Sequence, residues 1–60
     1  MILKEIKNDC LQGLELYFNT EKGINRTYLN PRESIIVPDF YITDIILNLF
    51  RRRMIKISNA

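Results

Sequence analysis

Residues 37–53, VPDFYITDIILNLFRRR, decide how this chain folds. A Pro-Asp break opens the stretch, and an amphipathic pattern follows it. Ile42, Ile45, Ile46, Leu49 and Phe50 recur at i, i+3, i+4, i+7 and i+8, the spacing that stacks side chains on one face of an α-helix. Asp44, Asn48 and Arg51 fall on the opposite side. Asp39 and Thr43 both carry an oxygen able to cap the helix start, and Thr43 is preferred, with Asp44 complementing the positive end of the helix dipole. Arg51, Arg52 and Arg53 suit the negative end for the same reason. Each stripe residue that is buried contributes about 2 kcal/mol.

Upstream of the helix the pattern changes period. Residues 14–19, LELYFN, alternate with Leu14, Leu16 and Phe18 on one side and Glu15, Tyr17 and Asn19 on the other, as in a half-buried strand. Thr20, Glu21, Lys22 and Gly23 make a turn in which Gly23 can take positive φ. Residues 24–30, INRTYLN, return as the partner strand, so that Leu14 faces Leu29, Leu16 faces Thr27 and Phe18 faces Asn25. On the outer side Tyr17 meets Arg26, a pair compatible with cation–π stacking. A second turn, Asn30-Pro31-Arg32-Glu33, leads into the β-branched strand SIIV at 34–37, which Pro38 ends because it has no N–H to donate. Residues 1–8, MILKEIKN, fit either an edge strand or a short helix, and the loop signals Asn8, Asp9 and Gly13 favour strand. Residues 54–58, MIKIS, alternate again and close the chain as a last strand. The expected fold is one α+β domain over residues 1–60: a small, mainly antiparallel sheet of three to five short strands with one helix packed on it.

Sixty residues bury only about 60% of the surface that their unfolded chain exposes, so a chain of this size usually needs a staple or a partner. The single Cys10 cannot form an internal disulfide, and with no histidine a zinc site is not expected. Cys10 reads as a small, partly buried filler. Oligomerisation or docking onto a larger body is the remaining route. Nine basic against seven acidic residues give a net charge of +2, too weak a balance to point to nucleic acid. The N-terminus is charged too early for a secretory signal, and the apolar region at 40–50 is too short and too interrupted to span a bilayer. An intracellular or virion setting is expected.

No nucleophile, base and orienting group can be assembled without histidine, so an enzyme is not expected, and neither is a cofactor or a small-molecule substrate. The acidic residues are dispersed in a way that suggests solvated surface and one cap. The candidate functional residues are therefore those of a protein interface. Phe40 and Leu47 lie off the apolar stripe, seven residues apart, and suggest a second contact surface. Tyr17 and Tyr28 extend it onto the hairpin; with Tyr41 they would form a stacking platform only if a dense basic groove surrounded them. Arg51, Arg52 and Arg53 can grip carboxylates or phosphates bidentately, provided that the helix ends there and lets them converge.

The run Leu29-Asn30-Pro31-Arg32-Glu33-Ser34-Ile35-Ile36-Val37-Pro38-Asp39, followed by an Ile/Leu helix and a short closing strand, resembles small structural proteins of tailed bacteriophages. Such proteins run a strand into a Pro-Gly-Glu-type turn, a Val-Pro-Asp break, a helix and a last strand. The likeness covers residues 29–58, and Arg32 departs from it by standing where glycine is usual. These residues play scaffold roles, so no active site is implied. The resemblance implies a virion component of head, neck or tail, assembled in the host cytoplasm and held by other virion proteins or by copies of itself. Two further classes fit the sequence: a small DNA-binding regulator using a dimeric β-ribbon, and a non-catalytic subunit of a cellular complex. The regulator lacks the second helix that the ribbon-helix-helix arrangement requires.

Overall fold

The computed structural model describes residues 2–60; Met1, which the expected N-terminal strand included, lies outside the described residues. The chain is α+β, with strands β1 (Leu3–Asn8), β2 (Leu14–Thr20), β3 (Gly23–Leu29) and β4 (Ser34–Pro38), a 3-10 turn at Asp39–Tyr41, helix α1 (Asp44–Arg51) and strand β5 (Ile55–Asn59). The strands do not form a single sheet. β4, β1 and β5 make a three-stranded antiparallel sheet in that order, and β2 and β3 make a separate antiparallel hairpin.

The hairpin has the register that its alternation dictates: Leu14 pairs with Leu29, Leu16 with Thr27, Tyr17 with Arg26 and Phe18 with Asn25. Gly23 closes the turn at φ 108°, a conformation open to glycine because it has no Cβ. The Thr20 hydroxyl braces the turn, donating to the Gly23 carbonyl at 2.7 Å. Tyr17 differs from expectation in its contact. Its hydroxyl donates to Glu15 at 3.2 Å, a same-face neighbour on its own strand.

β1 is the central strand of its sheet and not an edge. Ile6 is flanked in register by Ile35 of β4 and Ile57 of β5. The inward-facing positions of all three strands therefore stack on one face, as period-two alternation requires. Ile6, Val37 and Ile55 from this sheet, Leu14, Leu16, Phe18 and Leu29 from the hairpin, and Ile46 from the helix form one buried cluster. The helix contacts β2 on one side and β5 on the other, closing the gap between the sheets.

The sheet divides because β4 leaves the end of β3 in a new direction. In the Asn30–Glu33 turn the Glu33 N–H returns to the Asn30 carbonyl at 3.0 Å, and Arg32 sits at φ 66°. Pro31 occupies the position whose φ proline pre-sets, and Arg32 takes the left-handed conformation usually given to glycine in a type II turn. The side chain of Asn8, fully buried, fills the corner so created. Its Nδ2 donates to the carbonyls of Gln12 (2.8 Å), Leu29 (3.1 Å) and Asn30 (3.2 Å), and its Oδ1 accepts from the Cys10 N–H at 2.8 Å. Backbone bonds from Asn8 N–H to Glu33 and from Arg32 N–H to Asn8 complete the junction.

Thr43 caps the helix, as the sequence suggests. Its hydroxyl accepts from the Ile46 N–H at 3.4 Å and donates to the Tyr17 carbonyl at 2.8 Å, tying the helix start to β2. The apolar stripe is narrower than its spacing implies. Ile46 is fully buried, Ile42 and Leu49 are half-buried against the core, and Ile45 and Phe50 are exposed at 51% and 46%. A two-turn helix lying over a seam contacts along a line, so Ile45 on one flank and Phe50 at the C-terminal end extend past the covered strip. Phe40 also differs from expectation: it belongs to the 3-10 turn, and helical spacing does not relate it to Leu47.

Two substitution series test this packing. Ile46→Ala is expected to destabilise the domain by about 2–5 kcal/mol, while Ile45→Ala stays within about 0.5 kcal/mol, both read by urea denaturation. Asn8→Leu leaves three carbonyls without their donor and is expected to lose about 3 kcal/mol. Asn8→Asp replaces the donor with a carboxylate aimed at those carbonyls, so the folded state raises its pKa above the ordinary value of about 3.9. The stability of that variant should be greatest below about pH 4 and fall as pH rises towards neutrality, unlike the parent. A parallel pH profile for the two proteins would contradict the role given to Asn8.

Candidate protein-interaction surface

The arginine run lies where the helix stops. Arg51 is the last helical residue, Arg52 is the C-cap and Arg53 adopts φ 61°. The Arg53 N–H bonds the Phe50 carbonyl and the Met54 N–H bonds the Leu49 carbonyl, both at 3.0 Å. This pair of bonds is a Schellman cap, with Arg53 at the left-handed position that glycine favours. The left-handed residue turns the chain back into β5. Arg51 and Arg53 line one groove; Arg52 is exposed outside it.

That groove has a volume of about 440 Å³ and is lined by Asp9, Phe50, Arg51, Arg53, Ile55 and Lys56. Phe50 and the buried Ile55 supply apolar lining, while Arg51, Arg53 and Lys56 supply positive charge. Asp9 is the one acidic group in the lining, and it is partnered by Arg32 at 3.4 Å. This ion pair is largely exposed on the Arg32 side (61%) and contributes little stability. Sequence reasoning missed Asp9, Phe50, Ile55 and Lys56. By its spacing Phe50 belongs to the apolar stripe, and Lys56 carries no signal beyond its outward place in an alternating strand.

The other expected interface residues are dispersed. Phe40 is 47% exposed at the opposite end of the helix, with its ring edge-on to Tyr41 at 5.0 Å. Tyr41 also packs against the core ring of Phe18, with centroids 6.1 Å apart. It is thus separated from the outer face of the hairpin, and the three tyrosines form no common platform. Tyr28 is exposed, yet its ring and hydroxyl occupy the space that a Cβ on Gly13 would need. Tyr17 is half-buried beside the helix start, and Leu47 is half-buried outside the core cluster.

Among the described residues, no group of three or more His, Cys, Asp or Glu side chains could hold a metal ion. Cys10 is a free, half-buried thiol whose Sγ donates to the Met54 carbonyl at 3.4 Å. Among the described residues no helix is long and apolar enough to cross a membrane. No family model matches the chain, and no curated protein or solved structure gives a significant match.

The backbone at Arg53 gives a direct test. Arg53→Gly relieves the left-handed conformation and should stabilise the monomer by about 1 kcal/mol, raising Tm by about 4–8 °C in a domain of this size. An unchanged or lowered Tm would show that the arginine side chain stabilises the fold by itself.

Proposed function

We propose that this protein is a non-catalytic structural component of a larger protein assembly, with the virion of a tailed phage as its setting. The observation that carries the reading is the unequal distribution of apolar surface. Ile2, Leu3, Leu11, Ile24, Tyr28, Ile36, Phe40, Ile45 and Phe50 are all exposed on a chain of 60 residues. Scattered exposed apolar residues are ordinary, but Phe40, Ile45 and Phe50 lie along one short element, the helix and the turn that leads into it. Apolar side chains left exposed at both ends and on the flank of the helix that packs the core suit contacts with a protein partner. The virion setting is supported by the resemblance of residues 29–58 to small phage structural proteins. In this reading the β1–β4 corner and the helix are scaffold, and the helix ends and its exposed flank make the contacts.

The test is composition of the particle. Virions produced from the genome that carries this gene are purified through a density gradient, and the chain is quantified by mass spectrometry. A fixed copy number per particle is the expected result, and absence from purified particles overturns the virion role. Leu47→Asp should reduce incorporation severalfold with an unchanged far-UV circular dichroism spectrum, because Leu47 lies outside the core cluster.

A further inference from the structure

The two ends of α1 carry complementary chemistry. At the C-terminal end lies the groove lined by Phe50, Ile55, Arg51, Arg53 and Lys56. Its acidic residue, Asp9, is already engaged by Arg32, so positive charge dominates the rim. At the other end Phe40 projects as an exposed aromatic, and the neighbouring carboxylates of Asp39 and Asp44 are exposed as well. Phe40 is held in a fixed turn. The Asp39 N–H bonds the Ile2 carbonyl at 2.9 Å, the Ile42 N–H bonds the Asp39 carbonyl at 3.2 Å, and Tyr41 braces the Phe40 ring.

We infer that the basic groove receives the Phe40 turn of a second copy of this chain, so that molecules associate head to tail. Phe40 enters the space between Phe50 and Ile55, and Asp39 and Asp44 meet Arg51, Arg53 and Lys56 at the rim. Aromatic side chains contribute large apolar area with little flexibility, which suits them to such an anchoring role. Charge complementarity selects the partner: the chain itself carries an aromatic flanked by carboxylates and an apolar groove rimmed by cations. An eight-residue helix, about 12 Å long, separates the two patches and keeps them from satisfying each other within one molecule. Different patches meet at such a contact, so it is heterologous and propagates into a ring or a filament. Arg53 fits this role, since it places a cation on the groove at a backbone position where glycine would be less strained. The inference rests on the reading of the protein as an assembly component and adds a copy of itself as partner.

Sedimentation velocity on the purified chain tests the contact. The wild-type protein should associate beyond a dimer as concentration rises, and more weakly as salt is added, because the rim pairs are screened. Reversing the groove (Arg51→Glu with Lys56→Glu) or reversing the turn (Asp39→Lys with Asp44→Lys) should each weaken association at least about tenfold. Mixing the two reversed proteins in equal amounts should restore it, since every groove then meets a turn of opposite charge. Phe40→Ser, at an exposed position, should weaken association to a similar degree with an unchanged thermal melt. Wild-type protein that stays monomeric to about 1 mM at low salt, the weak end of specific affinities, overturns the inference. So does association that stops at a two-fold dimer, or a mixture that fails to recover. Incorporation into virions without self-association would remove the head-to-tail contact and leave the structural role standing. Self-association of a chain absent from virions would do the reverse.

Discussion

The junction around Asn8 holds the two sheets in one domain. A single carboxamide spans the end of β1, the Asp9–Gln12 loop and the end of the hairpin, and each of its hydrogen-bonding atoms has a partner. A buried polar group in this position stabilises only when it is fully satisfied, since an unpaired donor or carbonyl would carry its whole desolvation penalty. Satisfied as it is, Asn8 does what another leucine could not: it ends the β3 ladder at Leu29 and Asn30 and sends the chain through the Pro31–Arg32 turn to pair with β1. The separation into a three-stranded sheet and a hairpin follows from that corner.

The helix is fixed at both ends by hydrogen bonds. At the start Thr43 joins the Ile46 N–H to the Tyr17 carbonyl, and at the end the Arg53 turn joins Phe50 and Leu49 to the first residues leading into β5. With so little helix, the core contact is made chiefly by Ile46, helped by Ile42 and Leu49. Ile45 and Phe50 stay exposed. Size imposes this arrangement. A chain of 60 residues has too small an interior for all the hydrophobic residues it carries, and Phe40, Ile45 and Phe50 are among those left outside.

Local patterns in the sequence determined much of this protein. Alternation at 14–19, the Gly23 turn and the return strand set the hairpin and its register, because a one-residue slip would turn Leu16 and Phe18 outward. The β-branched run before Pro38, the Thr43 cap and the alternation after the arginines placed β4, the helix start and β5 in the same way. Each of these features depends on near neighbours in the chain or on period alone.

What only the tertiary structure decided are the features made by residues distant in sequence. Nothing in 1–8 distinguishes a central strand from an edge, since that depends on whether both 34–38 and 55–59 reach it. Asn8 reads as a loop signal in sequence and becomes the buried hub only when residues 29 to 33 arrive beside it. The groove unites Asp9 with the 50–56 segment, and Phe50 lines it because the helix ends beyond the strip that the sheets cover. Helical spacing states which side chains share a face, but not how wide a strip of that face the rest of the molecule can bury. That width is a property of the assembled sheets, and it separates the buried Ile46 from the exposed Ile45 and Phe50.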